Sequence, residues 1–304
     1  MKPQAIGLLG CGPWGRLILR DLLQLGAVVH VWTPGEETRA AARVAGAHSV
    51  TDRLHDLPDV AGLVVATTTR SHAAVIEAIE HRAVPMFVEK PLCSDPVAAR
   101  RLADRLGGRL FVMDKWRYHN GVLALADLAA RGELGDVVGL TTTRLGWSTG
   151  HPDVDAPWIL LPHDLSIALE ILGRVVPVNS VVGRVDDDGM VREMRGVCGE
   201  RSGPWHAFHV ADRSAIERRE VTVSGTSGSA TMTGGYAEHI QVIGEDGRRI
   251  VSFEPNMPLL DELAAFLEHL SGGPAPRTAA ADAAQVVEVI AAARLTLGAR
   301  SVTV

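Results

Sequence analysis

Short apolar runs alternate with amphipathic stretches through the first third of the chain. Ala5–Leu9, Ala27–Trp32, Gly62–Ala66, Met86–Glu89 and Leu110–Met113 are short, predominantly apolar runs, broken only by His30 and Glu89, the pattern of strands buried on both faces. Trp14–Leu25, Thr38–Ala45, Ser71–Arg82 and Asp95–Leu106 predict the intervening helices. In the first of these, Leu17, Ile18, Leu22 and Leu25 recur at helical spacing, and Gly26 is a fitting stop. Strands alternating with helices in this way predict a parallel, doubly wound sheet with its strand C-terminal ends along one rim. Beyond residue 118 the texture changes. Helices are predicted at Gly121–Arg131 and His163–Leu172, and a Thr- and Val-rich strand at Val137–Leu145. Short strand-like runs follow at Val178–Val185, Met194–Cys198, His206–Val210, Arg219–Ser224, Ser229–Thr233 and His239–Ile243, which predicts a mostly antiparallel sheet. Helices Leu259–Leu270 and Ala279–Leu297 close the pattern. The expected division is a first α/β domain over 1–118 and a second over 119–304.

Composition narrows the function classes. The 304 residues are 46% hydrophobic, which predicts a packed core and not disorder. Aromatic residues make up only 4%, and the formal net charge is −6. A chain that neutralises a phosphate backbone usually carries a basic field, so nucleic acid is not an expected partner. Cys11, Cys93 and Cys198 are too widely spaced for a metal knuckle or a disulfide framework. That usage suits a reducing cytoplasm. No apolar stretch is long enough to span a membrane, and the first apolar run reads as a core strand, not a leader.

Against this background four segments carry chemistry. Gly10-x-Gly12-x-x-Gly15, with Pro13 and Trp14 inside it, follows the first strand and opens the first helix. Such a turn bends tightly at its first glycine, admits a pyrophosphate at the second, and lets helix pack on strand at the third. The helix N-terminus then offers N–H groups and a positive dipole end to the anion. Thr67-Thr68-Thr69-Arg70-Ser71-His72 is a polar turn at the end of the third strand run, where cofactor ribose or nicotinamide contacts are expected; a Ser/Thr helix cap is the other explanation. Glu89-Lys90-Pro91 places a lysine at a strand end on the same rim, suited to proton transfer or to holding a substrate oxygen. His163 opens a predicted helix with Asp164 as a cap, and an imidazole there suits proton transfer near neutral pH. Trp147 and Trp158 are candidates for stacking on a sugar face or for the core. No histidine or cysteine spacing points to a metal.

Together these segments resemble the Gfo/Idh/MocA family of NAD(P)-dependent oxidoreductases. Glu89-Lys90-Pro91-Leu92 is similar to the family's Glu-Lys-Pro signature, and Pro162-His163-Asp164-Leu165-Ser166 to a stretch of a sugar-processing branch. Lys115-Trp116-Arg117-Tyr118 resembles the crossing between domains, Val223–Ser229 the Gly-Thr-x-Gly turn, and Pro258–Leu267 the late helix. The resemblance implies a Rossmann domain followed by an α/β domain with a large open sheet that packs against a partner subunit in a homo-oligomer, dimer or tetramer. It implies sugars, nucleotide sugars, inositols or polyols as substrates, hydride exchange with the nicotinamide, and Lys90 and His163 as the active-site lysine and histidine. Arg117 and Tyr118 hold substrate or pack between domains.

Two departures matter. Many members carry an aspartate four residues before the histidine; here that position is Ile159. Lys90 and His163 suffice, or Asp153 or Asp155 supplies the carboxylate, or ordinary alcohol oxidation is lost. The expected function is therefore a cytoplasmic NAD(P)-dependent oxidoreductase on a sugar-like alcohol or carbonyl. The alternatives are a non-catalytic dinucleotide-binding sensor and an imine reductase of the same family. At the end of the second strand Thr33 stands where NAD sites usually carry an acid. Thr33 with Arg39 suits a 2′-phosphate, whereas Glu36 and Glu37 suit a ribose hydroxyl; the balance leans to NADP.

Overall fold

The computed structural model describes residues 3–147, 153–200 and 202–298. In chain order the first part holds β1 (Ala5–Leu9), α1 (Pro13–Gln24), β2 (Val28–Trp32), α2 (Glu36–Val44), β3 (Ser49–Thr51), β4 (Gly62–Val65), α3 (His72–Ile79), β5 (Met86–Glu89), α4 (Pro96–Leu106) and β6 (Leu110–Met113). The strands form one sheet in the order β3-β2-β1-β4-β5-β6, every pair parallel. This is the doubly wound order whose switch point lies between β1 and β4. β4, β5 and β6 are buried at every position, which is why they read as apolar runs up to Glu89 at the end of β5.

The second part holds α5 (Asn120–Ala130), β7 (Val137–Trp147), α6 (Ala156–Leu172), β8 (Val178–Val185), β9 (Val191–Cys198), β10 (Trp205–Ala211), β11 (Arg213–Gly225), β12 (Gly228–Thr233), β13 (His239–Gly244) and β14 (Gly247–Ser252). They are followed by α7 (Pro258–Leu270) and α8 (Ala280–Thr296). Its eight strands run β14-β13-β12-β11-β7-β10-β9-β8, antiparallel except for β7 beside β10. Leu140, Val221, Val223, Ala230, Met232, Ile240 and Val242 turn one face into a core shared with α5 and α6. The register places Val182, Val197, Ile243 and Ile250 on the opposite face, where all four are exposed.

Two compact units emerge. The first comprises the chain up to Lys115 together with Leu259–Ala284; the second comprises Trp116–Pro258 and the chain from Gln285. The expected boundary at 118 lies close to the first break, but Leu259–Ala284 leaves the second domain to which the sequence assigned it. The reason is packing. Leu259, Leu263 and Phe266 of α7 enter the core around β1, β5 and β6, and Phe266 stacks on Phe87 with ring centroids 5.0 Å apart. Thr278 extends the bond network of β6 by accepting from the Val112 N–H at 3.1 Å.

Candidate active site

The first unit gathers its sequence-predicted site residues at the C-terminal ends of β1, β4 and β5. Gly10 sits at φ +94°, in the left-handed region, and its N–H donates to the Trp32 carbonyl at 2.8 Å. A Cβ on Gly10 would meet the Ala66 carbonyl oxygen at 2.5 Å, and one on Gly15 would meet the Gly10 carbonyl oxygen at 2.5 Å. Gly12 differs. Its φ of −66° suits any residue, and a Cβ there meets no atom within 4 Å. The protein itself therefore gives no reason for a glycine at 12; a group approaching the backbone from outside does. Gly12 caps α1 without a side chain, Pro13 occupies its first turn, and that turn carries no acidic residue. The first N–H groups of such a helix have no acceptor within it. A dinucleotide diphosphate fits this cradle.

The neighbouring turns are braced from behind. The Ser71 hydroxyl donates to Thr67 Oγ1 at 2.9 Å or to the Thr68 carbonyl at 2.8 Å, and lies 3.1 Å from Thr68 Oγ1. This is the self-capping arrangement that the alternative explanation of the polar turn requires, although Thr67 and Thr68 remain partly exposed. His72, expected at the cofactor, is only 1% exposed. Its ring spans two main-chain carbonyls, Pro91 at 3.0 Å from Nδ1 and Thr67 at 3.1 Å from Nε2. Its place is a strut between the Thr67 turn and the Lys90–Pro91 turn, because the helix that starts at His72 points inward there. Lys90 is mostly buried, with Nζ 3.9 Å from the Glu89 carboxylate.

At the end of β2 the Thr33 hydroxyl lies 2.8 Å from that of Thr38. Arg39 reaches back to the Thr33 and Pro34 carbonyls and pairs with Glu36 and, at 3.8 Å, with Asp52. Glu36 is 74% exposed.

The second unit assembles a different group. His163 is not at the start of a helix: α6 begins seven residues earlier, and Pro162 lies inside it. Ile159 is one turn before His163 on that helix, in the place of the missing carboxylate. The His163 ring stands edge-on to Trp116 with centroids 6.4 Å apart. Trp116 stacks on His119 at 5.0 Å and carries the Arg144 guanidinium 4.6 Å from its ring centre. Asp164 is no helix cap. It is buried and accepts from Arg144 Nε and Nη2 at 3.2 and 3.1 Å. Burial pushes the Asp164 carboxyl up and pulls Arg144 down, while each draws the other back towards its charged form.

Asp155, a candidate for the missing carboxylate, is already engaged. It accepts from Arg294 Nη2 at 2.7 Å and from the Val191 N–H at 3.2 Å. Trp158, expected to stack on substrate, is 1% exposed and belongs to the core, 6.0 Å from the Arg294 guanidinium. Trp147 is the exposed one at 75%, at the edge of a cleft of about 310 Å³ that Arg144, Leu160, Ser214 and Arg219 also line. Arg117 pairs with Glu170 at 3.0 Å, and the Tyr118 carbonyl accepts from Asn256 at 2.7 Å, so both are tied into the second unit's framework. Burial pushes the Cys93 and Cys198 thiols up to about 12, which leaves no nucleophile there at neutral pH.

Sequence reasoning missed one residue at the first unit's rim, Glu262 of α7. The signal was present: a glutamate on the apolar stripe Leu259, Leu263, Phe266.

Comparison with known proteins agrees with this layout. Residues 5–110 match the family model described as the oxidoreductase family with NAD-binding Rossmann fold. The chain is 29% identical over 184 residues to inositol 2-dehydrogenase 2 of Saccharopolyspora erythraea, a match covering 56% of this chain and 54% of that one. It therefore spans about half the length of this relative. An inositol 2-dehydrogenase of Acidothermus cellulolyticus is 27% identical over 265 residues, covering 80% and 71% of the two chains. Among solved structures, a UDP-N-acetylglucosamine 3-dehydrogenase of Acidithiobacillus ferrooxidans superposes with a TM-score of 0.87 over 98% of both chains at 18% identity, a likeness of fold.

Proposed function

We propose that the chain is a member of the Gfo/Idh/MocA oxidoreductase family, whose model its residues 5–110 match, and that it exchanges hydride between a nicotinamide coenzyme and a secondary alcohol or ketone of a sugar, nucleotide sugar or polyol. The observation that carries the proposal is the glycine cradle with Lys90 on the same strand-end rim. The bound coenzyme supplies the hydride acceptor or donor. The chain's own residues do the rest. Gly12 and the N-terminal turn of α1 seat the diphosphate, and Thr67 and Thr68 line the path of the ribose.

Lys90 moves the proton at the reacting oxygen, taking it in oxidation and returning it in reduction. Its mostly buried ammonium, beside Glu89, is held in few orientations. His163 is the second proton-transfer candidate, with Arg117, Tyr118 and Trp147 as substrate-side residues. With Ile159 at the usual aspartate position and Asp155 engaged by Arg294, this chemistry proceeds without a third carboxylate. The same feature keeps two other readings in view, an imine reductase and a dinucleotide-binding sensor. Arg39 favours NADP, exchanging the exposed Glu36 for a 2′-phosphate.

The exposed Val182, Val197, Ile243 and Ile250 on one sheet face support a homo-oligomer that covers them. No described helix is long and apolar enough to cross a membrane.

The test is steady-state turnover of Lys90→Ala and His163→Ala against a panel of sugars, nucleotide sugars and cyclic imines with both coenzymes. Loss of kcat by about 10²-fold or more in Lys90→Ala, with coenzyme affinity kept, supports the assignment. Wild-type turnover in Lys90→Ala refutes it, and tight coenzyme binding without turnover on any substrate establishes the sensor.

A further inference from the structure

A carboxyl group occupies a position where packing calls for a hydrocarbon. α7 buries Leu259, Leu263 and Phe266, and Glu262 lies on the same stripe, one turn before Phe266 and 1% exposed. Its Oε2 is buried and has no hydrogen-bond partner. Two periodicities fix what it faces. Phe266 stacks on Phe87. In β5 the side chains of Phe87 and Glu89 point to the same face, and in α7 those of Glu262 and Phe266 do. Moving one step along both elements from the stacked rings therefore brings Glu262 to Glu89, at the strand end that carries Lys90. β6 runs alongside in register, with Met113 beside Glu89, and the chain leaves it through Asp114, itself buried, and Lys115.

The charged groups that act most strongly on Glu262 come from these two strand ends: Glu89 at the end of β5 and Lys90 just after it, and Asp114 and Lys115 after β6. Lys90 lies 3.9 Å from Glu89, and Lys115 sits over the Trp14 ring at 4.8 Å. Three carboxyls thus share one buried corner with two ammonium groups. With all five charged, the corner would carry an excess negative charge out of water, which is costly. One retained proton balances it.

We propose that Glu262 is a positioning residue for Lys90: an un-ionised carboxylic acid at neutral pH that completes the charge balance of the corner and so keeps the Lys90 ammonium against Glu89 at the rim. Its depth is consistent with this, since burial first, then Glu89 and Asp114, push its carboxyl well above the usual range. The role of Lys90 in turnover is taken from the function proposed above; the protonation of Glu262 stands apart from it.

Two measurements on the full chain separate these. Infrared difference spectra between the wild type and Glu262→Gln, taken without substrate at neutral pH, are expected to contain the C=O stretch of a protonated carboxylic acid that the variant lacks. Absence of that band overturns the proposal, whatever the enzyme turns over. In steady-state assays Glu262→Leu is expected to lower kcat about tenfold or more and to displace the alkaline limb of its pH profile, with KM for coenzyme within about twofold; Glu262→Gln, neutral like the native acid, recovers most of the loss. Wild-type kcat and pH profile in Glu262→Leu would make the residue a filler and refute the positioning role. Thermal melts of both variants separate a lost fold from a lost function. If the wild type turns over no substrate, the proposed function fails while the infrared band still decides the protonation of Glu262.

Discussion

The glycines at 12 and 15 should separate binding from folding. At Gly15 an added methyl would lie 2.5 Å from the Gly10 carbonyl oxygen, a backbone atom that cannot rotate away. Gly15→Ala must therefore move α1 off β1, an overpacking cost of about 1–3 kcal/mol. At Gly12 the same methyl meets nothing within 4 Å, and the backbone already has φ −66°. Gly12→Ala, which replaces one N-cap by a poorer one but meets no clash, should cost about 1 kcal/mol or less of folding stability. Its cost falls on the ligand. A methyl where the backbone must touch the diphosphate should weaken coenzyme about tenfold, or about 1.4 kcal/mol, and Gly12→Val more. Urea unfolding followed by circular dichroism gives the first quantity, and quenching of protein fluorescence by coenzyme the second. Gly12→Ala that binds coenzyme like the wild type, or that unfolds as readily as Gly15→Ala, would refute the assignment of this cradle.

Further outcomes follow from the second unit and the coenzyme edge. Asp164→Leu should destabilise by about 3–5 kcal/mol, because it leaves the Arg144 guanidinium buried without its carboxylate, whereas Arg144→Met/Asp164→Leu together should recover much of that loss in a double-mutant cycle. His206 is fully buried beside the Thr142 hydroxyl at 2.9 Å, and burial pulls its pKa down from 6.5 to about 3. The unfolded chain then takes up a proton near pH 6.5 that the folded chain refuses until about 3. Its stabilising effect is whole above pH 6.5 and lost as pH falls through that window, at about 1.4 kcal/mol per unit. Urea midpoints at pH 7.5 and pH 4.5 should converge for the wild type and His206→Gln as pH falls; parallel midpoints would contradict this. Arg39→Ala should raise KM for NADP about tenfold and leave KM for NAD within about twofold, and equal effects on both would remove the case for NADP.

Much of this fold is legible in the sequence, for physical reasons that also mark where legibility stops. β1, β5 and β6 coincide with their predicted runs because strands buried on both faces are almost wholly apolar, Glu89 at the end of β5 being the exception. β3, Ser49–Thr51, is short, edge-placed and polar, and β14, Gly247–Ser252, carries Arg248 and Arg249 on an edge; neither has a buried face to impose a pattern. The start of α6 is hidden because Ala156–Leu161 is apolar throughout, with no polar face to set a helical period, and Pro162 reads as a helix breaker. At the site, Gly10, Gly12, Gly15 and Lys90 announce themselves through strand-end spacing. The pairing of Arg144 with Asp164 and of Asp155 with Arg294 does not, since it depends on packing between distant segments. The same holds for α7: its amphipathic stripe is plain, but which of two cores takes it is a tertiary question.

The central claim is that the turn after β1 seats a nicotinamide dinucleotide for use by Lys90. Isothermal titration of the purified chain with NADPH and NADH tests it most directly. The account predicts saturable one-to-one binding to the wild type, weakened in Gly12→Val and retained in Lys90→Ala. No heat from either coenzyme, or undiminished affinity in Gly12→Val, would contradict it.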